Sequence, residues 1–199
     1  MFDILTENLN SLGYKTHTFQ TKEEAKDFLL AQIKGKTIGI GGSITVKELD
    51  VYKELSENNT VFWHWEVPNE MSNQTLKAAR NAEVYISSVN AIAESGEIVN
   101  IDGTCNRVAS ISYGHDKVYL IIGKNKITDD LDSAIYRARN VAAPLNARRL
   151  GKNTPCAFGE LKCHNCKSPE KICKNLSLLY KKPGACEYEV ILINEELGY

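Results

Sequence analysis

The stretch VYLIIGKNKITDDLDSAIYRARNVAAPL, residues 118–145, decides the fold because it joins two periodicities. Its first five residues are branched or apolar, which predicts a buried β-strand. Apolar residues then recur at steps of four and three, which predicts an amphipathic helix. They are Leu131, Ile135, Ala138, Ala142 and Leu145. Pro144 is expected to kink or end that helix. A buried strand followed by such a helix is typical of α/β folds.

Strands and helices alternate on both sides of this stretch. Apolar or alternating runs predict strands at residues 14–19, 37–40, 61–65, 84–88, 176–180 and 188–193. The last two are expected to return the chain to the main sheet. Helical periodicity predicts helices at residues 21–33, 46–55, 71–81 and 106–113. Thr21 and Glu24 have the spacing of a capping box at the start of the first. Residues 91–102 contain two extended runs around Ser95 and Gly96, which predict a hairpin. We therefore expect a single α/β domain, residues 1–199, with a Rossmann-like, mostly parallel sheet covered by helices.

The composition excludes several classes of protein. The 199 residues are 43% hydrophobic and 25% charged, which is ordinary for a soluble globular chain. A formal net charge of -1 favours neither nucleic acid nor an anionic membrane. The N-terminus lacks the basic and apolar segments of a secretory signal, and no run approaches the roughly 20 apolar residues that span a bilayer. We expect a cytoplasmic protein with no membrane span and no nucleic-acid partner.

Four cysteines cluster in the polar segment 151–175, in the spacing Cys156-x6-Cys163-x2-Cys166-x6-Cys173. Cytoplasmic cysteines stay reduced, and four soft thiolates suit zinc or an iron–sulfur cluster. Zinc ribbons usually present two Cys-x2-Cys pairs, whereas this segment has one. The spacing therefore favours a [4Fe–4S] cluster, with zinc as the alternative. Four unrelated thiols, two of them able to form a disulfide, are the plainer interpretation.

Polar residues follow several predicted strands, and ligands of open α/β sheets bind beyond the carboxyl ends of strands. Backbone N–H groups near Gly42 and Ser43 could hold an anion, and Arg107 could pair with a carboxylate or phosphate. The candidate ligand-binding residues are Gly41, Gly42, Ser43, Glu48, Asn90, Asn106 and Lys124. An ordinary strand-to-helix turn, an Asp-Gly turn and solvated lysines are the alternatives at these positions.

Asp102, Cys105 and Arg107 are the candidate catalytic residues, because they share one polar loop. Cys105 would act as a redox group or an extra metal ligand, although a lone cysteine is more often a small buried hydrophobe. His64, between two tryptophans, is interpreted as a packed or exposed side chain. Arg149 is interpreted as part of a solvated helix face.

Several segments together resemble the LUD (lactate utilization) domain family of bacteria. They are GIGGSITVKEL (39–49), SSVNAIAESGEIVNIDGTCNRVA (87–109), GKNKI (123–127), RARNVAAPLNARRL (137–150), TPCAFGELKCHNCKSPEKIC (154–173) and VILINEELGY (190–199). The resemblance implies a fold similar to the NagB, RpiA and CoA-transferase group. It also implies a link to the oxidation of lactate to pyruvate alongside iron–sulfur partner subunits. One position departs from the family pattern, since glycine is common where Cys105 stands.

Three functions are compatible with these features. The leading hypothesis is a redox-linked protein of lactate-type organic-acid metabolism, with a [4Fe–4S] site and a pocket for a small anionic organic acid or phosphate. The second is a non-catalytic subunit whose zinc is structural and which docks a dehydrogenase complex. The third is an enzyme like sugar-phosphate isomerases or CoA transferases, with Glu48 or Asp102 as base or nucleophile. Self-association into a homo-oligomer is left open by the sequence.

Overall fold

A parallel β-sheet forms the centre of the fold. The computed structural model describes residues 2–184 and 186–199. Its strands are β1 (Lys15–Phe19), β2 (Thr37–Ile40), β3 (Thr60–Trp63), β4 (Val84–Ser88), β5 (Ala91–Ala93), β6 (Ile98–Asp102), β7 (Lys117–Gly123), β8 (Ile127–Thr128), β9 (Asn175–Leu179) and β10 (Glu187–Ile193). Its α-helices are α1 (Asp3–Ser11), α2 (Lys22–Gln32), α3 (Ile44–Leu49), α4 (Tyr52–Asn58), α5 (Ser72–Arg80), α6 (Asn106–Ser112), α7 (Leu131–Arg137), α8 (Ala143–Arg149) and α9 (Pro155–Phe158). Among the described residues, no helix is both long and apolar enough to cross a membrane.

The main sheet has the strand order β1-β10-β7-β4-β2-β3, and every neighbouring pair is parallel. Helices cover both of its faces, so the central strands are apolar on both sides. Along β7, Ile121 packs into one core cluster, whereas Leu120 and Ile122 pack into the other. Each fully buried side chain of this kind stabilises the fold by roughly 1.5–3 kcal/mol. The predicted α/β class with a mostly parallel sheet is confirmed.

Local sequence signals explain where the helices begin and end. Thr21 and Glu24 form the predicted capping box at the start of α2. The helix predicted over residues 46–55 is instead two helices, α3 and α4, because Asp50 adopts a left-handed conformation (φ 52°) between them. Aspartate tolerates this conformation better than most residues, so the chain can turn there.

A smaller sheet of order β8-β5-β6-β9 packs beside the main one. β5 and β6 form the predicted hairpin. β9 was expected to return to the main sheet, and this expectation is wrong, because β9 pairs with β6 in antiparallel register from Ile98–Leu179 to Asp102–Asn175. Only β10 of the two final strands enters the main sheet. This pairing places the end of the cysteine segment next to the loop that follows β6.

The helix predicted from Leu131 is longer than expected. It runs through α7, a π-helical turn over Ala138–Ala142, and α8. Pro144 therefore does not end the helix, because the wider turn comes just before it and Pro144 falls in the first turn of α8, where its missing N–H is tolerated. Such π-helical turns are frequent at functional sites.

Candidate functional site

A cavity of about 300 Å³ opens at the carboxyl ends of the parallel strands. The turns that follow β2, β3, β4 and β7 form one side of it. Helix α8, the loop after β6 and Tyr199 form the rest. This is the edge at which ligands of open α/β sheets bind, and the volume falls at the lower end of the roughly 300–1,000 Å³ of ligand pockets.

Four of the predicted ligand-binding residues line this cavity: Gly42, Ser43, Asn90 and Asn106. A Cβ at Gly42 would lie 3.3 Å from His64 Cε1, so glycine lets the turn after β2 pack closely against the end of β3. Ser43 Oγ accepts a hydrogen bond from Val46 N at 3.3 Å and so caps α3. Ser43 therefore caps α3 and also lines the cavity.

The other three predicted ligand-binding residues, Gly41, Glu48 and Lys124, lie outside the lining that the described residues form. Gly41 is a packing position, since a Cβ there would lie 2.8 Å from the Tyr85 hydroxyl. Glu48 is exposed, and its carboxylate accepts from Gly198 N at 2.6 Å. Lys124 is exposed as well. Glu48 therefore anchors the residues near Tyr199 and does not face the cavity.

Asp102 lines the cavity, but its carboxylate is engaged within its own loop. Oδ1 accepts from Thr104 N at 3.0 Å and from Cys105 N at 2.8 Å. Oδ2 lies 3.5 Å from Arg107 Nε. Cys105 does not belong to the described lining, although Thr104 and Asn106 on either side of it do. The structure therefore does not bring the Cys105 thiol into the cavity.

Arg107 also lines the cavity, and its guanidinium is hydrogen-bonded to surrounding protein groups. Beside the ion pair with Asp102, its terminal nitrogens donate to four oxygens. These are Ser88 O (3.2 Å), Asn100 Oδ1 (2.5 Å), Asn90 Oδ1 (3.2 Å) and Ile101 O (2.7 Å). The four N–H groups of its terminal nitrogens are thus hydrogen-bonded, and Nε faces the carboxylate of Asp102 in the ion pair. Arg107 holds the loops of the cavity together, and its expected pairing with a ligand carboxylate does not fit this arrangement.

Lys126 is the buried cation of the cavity, and the sequence interpretation missed it in favour of Lys124. Only 3% of its surface is exposed. Its Nζ donates to Thr45 Oγ1 (2.7 Å), Ser88 Oγ (3.0 Å) and Val89 O (3.1 Å). No carboxylate pairs with it within the described part of the chain. Burial lowers the pKa of this amine to about 7, helped by nearby Arg137 and Arg107 and opposed by Glu48.

A second group of cavity residues was interpreted as packing or solvated surface. Arg149 lies over the Trp65 ring at 5.2 Å, and its Nε donates to the Tyr199 hydroxyl at 2.7 Å. His64 lines the cavity, and its Nδ1 is buried with no hydrogen-bond partner among the described residues. Burial lowers the pKa of His64, which favours a neutral ring. In the sequence, the two tryptophans on either side of His64 were a signal for this part of the cavity. No sequence feature pointed to Tyr199.

The four clustered cysteines line a second, smaller cavity of about 20 Å³. The lining includes Cys156, Cys163, Cys166 and Cys173. None of the six cysteines of the chain is in a disulfide. Apart from the short helix α9, the described residues between α8 and β9, which carry the four, form no helix or strand.

Polar N–H groups surround one of these sulfurs. Cys163 Sγ accepts from Asn165 N at 3.4 Å and from Arg139 Nη2 at 3.6 Å. Burial raises the pKa of the Cys163 thiol, but these donors outweigh burial and leave it below its usual range. Burial raises the pKa of the Cys173 thiol, and neighbouring Cys163 and Cys166 add to that rise. Cys163, Cys166 and Cys173 therefore lie near one another.

The chemistry of this donor set fits a thiophilic metal centre, since four soft sulfurs share one cavity. Their arrangement is more open than ligation requires. Among the described residues, no three or more Cys, His, Asp or Glu side chains are arranged so that they could hold a metal ion. The observation that favours a metal is that the four sulfurs line the same cavity. A metal in this segment remains a prediction.

The two cavities are adjacent. Ala143 of α8 and Ile172 of the cysteine segment line both of them. The backbone makes the same connection, because Lys174 N donates to Asp102 O at 3.0 Å. A Cβ at Gly103 would lie 2.7 Å from Ile172 O, so the loop after β6 and the cysteine segment are in direct backbone contact.

One solved structure that resembles the chain is informative about its fold. A DUF162 family protein from Deinococcus radiodurans aligns with a TM-score of 0.53 and 12% identity, over 96% of this chain and 94% of that one. At this identity the likeness shows the fold alone, an α/β fold with a mostly parallel central sheet flanked by helices. The eIF2B beta protein from Chaetomium thermophilum aligns with a TM-score of 0.33 and 15% identity, over 66% of this chain and 44% of that one, which carries no argument.

Comparison of sequences gives the family. No curated protein matches the chain. The model of the family described as "LUD domain" matches residues 3–193, which is nearly the whole chain.

Proposed function

Because the chain belongs to the LUD domain family, we propose that it is a redox-linked protein of lactate-type organic-acid metabolism. It binds a small organic anion in the 300 Å³ cavity and carries a [4Fe–4S] cluster on its four clustered cysteines. The family's link to lactate utilization supports the metabolic assignment. The observation that carries the proposal is the wall that the two cavities share, formed by Ala143 and Ile172.

The charges of the larger cavity support an anionic ligand. Lys126 is buried there without an acidic partner in the described residues, and burying an unpaired ammonium is unfavourable. The carboxylate of Asp102 is already paired with Arg107. An incoming carboxylate would supply the missing negative charge. All three Nζ donors already serve Thr45, Ser88 and Val89, so the carboxylate would replace one of these neutral acceptors, and a charged acceptor makes the stronger hydrogen bond. His64, with an unpartnered buried Nδ1, offers a group to accept or donate a proton at the ligand.

Cys156, Cys163, Cys166 and Cys173 would hold the cluster as its four thiolate ligands. When bound, an iron–sulfur cluster supplies one-electron transfer. Arg139 and Asn165, which already donate to Cys163 Sγ, would keep their hydrogen bonds to sulfur, and such bonds tune a cluster's reduction potential. The shared wall would place the ligand of one cavity beside the metal site of the other.

Anaerobic reconstitution tests the metal assignment. The protein is incubated with iron and sulfide, desalted, and analysed for bound metal and for broad visible absorption. We expect iron and sulfide in equal amounts, and loss of both in Cys166→Ser. Cys186→Ser is the matched control, because Cys186 lies outside the cysteine cavity and packs against the core. A wild-type protein that takes up no iron under these conditions contradicts the assignment.

Calorimetric titration with lactate tests the anion site separately. We expect binding to the wild type, and at least about tenfold weaker binding to Lys126→Met, since a charge-assisted hydrogen bond contributes roughly 1.5–3 kcal/mol. Lys77→Met, on helix α5 outside the cavity, is the control. Absence of binding to the wild type contradicts this part of the proposal.

The size of the cysteine cavity favours a second candidate, a single structural zinc ion. A volume of about 20 Å³ holds little more than one water-sized body, which is closer to one ion than to a cluster of four irons and four sulfides. A colourless protein that retains one zinc per chain after both metals are offered would support the alternative hypothesis of a non-catalytic subunit with a structural zinc.

A further inference from the structure

The charges that line the larger cavity do not balance. Its charged side chains, within the described residues, are Asp102, Arg107, Lys126 and Arg149. Asp102 and Arg107 form an ion pair with each other. Lys126 and Arg149 have no acidic partner in the described part of the chain, and both contact neutral groups only. The lining thus contains two basic side chains, Lys126 and Arg149, that no carboxylate of the described residues compensates.

These two cations lie at different depths. Lys126 is buried, whereas Arg149 is exposed. Arg149 is nevertheless held in one place, because its guanidinium lies over Trp65 and donates to Asn146 Oδ1 at 2.8 Å and to the Tyr199 hydroxyl at 2.7 Å. Its second terminal nitrogen, Nη1, makes no hydrogen bond to the described residues. In contrast with Arg107, Arg149 is positioned and still has donors to offer.

The cavity is also larger than a three-carbon acid requires. Its 300 Å³ is comparable to pockets that enclose drug-sized molecules. A lactate held at Lys126 would leave the region beside Arg149 to solvent. A longer acid could reach both cations.

We propose that the cavity recognises an organic acid with two anionic groups, one against Lys126 and the other, a carboxylate or a phosphate, against Arg149. This inference rests on the proposed anion site and narrows its ligand class. Arg149 is then the residue that selects diacids and phosphorylated acids over monocarboxylic acids. Trp65, Asn146 and Tyr199 are its positioning residues.

Calorimetry with three probes tests the inference: lactate with one anionic group, malate with two carboxylates, and phosphoglycerate with a carboxylate and a phosphate. We expect malate or phosphoglycerate to bind the full chain at least about tenfold more tightly than lactate, which is about 1.4 kcal/mol. The tighter of the two identifies the second group as carboxylate or phosphate. Arg149→Gln should remove this preference and change the lactate affinity by less than about threefold.

Two further variants make the result specific. Tyr199→Phe removes only the hydroxyl that accepts from Arg149, and should reduce the preference partly. Arg80→Gln removes an exposed arginine at the end of α5, outside the cavity, and should change nothing. Equal affinity for lactate and both larger acids, or an equal loss for all three in Arg149→Gln, overturns the inference while leaving the anion site intact. Failure of every probe to bind would overturn both the inference and the proposed anion site.

Discussion

Lys126 shows how a single side chain can link a cavity to the stability of the whole protein. Its pKa of about 7 in the folded chain lies below the ordinary 10.5. Between these two values the unfolded chain holds a proton that the folded chain lacks, so the free energy of unfolding rises with pH. Arg107, Arg137 and Glu48 are the charged groups that act on the amine.

Replacing Lys126 therefore changes the pH dependence of stability. From about pH 7 to about pH 9, the free energy of unfolding of the wild type should rise by roughly 2–3 kcal/mol more than that of Lys126→Met. Urea unfolding of both proteins at the two pH values measures this difference. Lys124→Met, which removes an exposed lysine two residues away, should follow the wild type. Parallel curves for wild type and Lys126→Met would contradict the buried amine.

Cys105 illustrates a backbone constraint at one position. Its φ of 66° lies in the left-handed region, which is unfavourable for a residue with a Cβ and free of strain for glycine. This explains in physical terms why glycine suits the position. Cys105→Gly should leave the free energy of unfolding unchanged or raise it by up to about 1 kcal/mol. Asn106→Gly, at the first helical residue of α6, should lower it by about 0.5–1 kcal/mol in the same urea experiment.

Among the elements, the long helix around Pro144 combines a constraint with a functional surface. The π-helical turn over Ala138–Ala142 precedes the proline, and Ala142 and Ala143 line the larger cavity. Because Pro144 occupies a position that needs no N–H, Pro144→Ala should change stability by less than about 1 kcal/mol, far below the roughly 3 kcal/mol of a proline within a regular helix. Ala138→Pro removes the bond from Ala138 N to Ala134 O, and should cost about 3 kcal/mol or more by urea unfolding.

The elements that the sequence predicts well are those with a strong periodicity. The apolar strand at residues 118–122 and the capping box at Thr21 were identified correctly, since each depends on neighbouring residues alone. Helix α1 was missed because its first and last turns carry few of the usual signals; no side chain caps it and its last turn has no basic residue. The partner of β9 could not be derived, because strand pairing depends on which edge is free in the folded molecule.

The candidate site was predicted in outline and corrected in detail. The rule that ligands bind beyond the carboxyl ends of parallel strands located the edge of the sheet and several lining residues, such as Gly42 and Asn90. The sequence interpretation chose Lys124 instead of Lys126. The short 3-10 turn after β7 decides which of these two lysines faces inward, and this turn is seen only in the structure. The sequence interpretation assigned ligand pairing to Arg107, because the four hydrogen bonds of its terminal nitrogens and its ion pair with Asp102 arise only in the folded loops.

At the scale of the whole molecule, we expect the backbone contact between Gly103 and Ile172 to couple the two cavities. A Cβ at residue 103 would lie 2.7 Å from a backbone oxygen that cannot rotate away, so Gly103→Ala should cost about 1–3 kcal/mol and separate the two segments. We expect both the affinity for organic acids and the retention of metal to fall. Gly184→Ala, in a loop with open space around the glycine, should affect neither. A loss of only one property in Gly103→Ala would show that the cavities act independently.

The position of β10 has a consequence for how the chain reaches its folded state. This strand lies between β1 and β7, so it joins residues near 15 to residues near 190. Until residues 187–193 emerge from the ribosome, β1 therefore lacks its strand partner in the sheet. The apolar strand β7 also has one edge whose backbone N–H and C=O groups are unpaired. Such distant pairing slows folding and leaves nascent chains prone to aggregate, so this protein should depend on chaperones while it is being made.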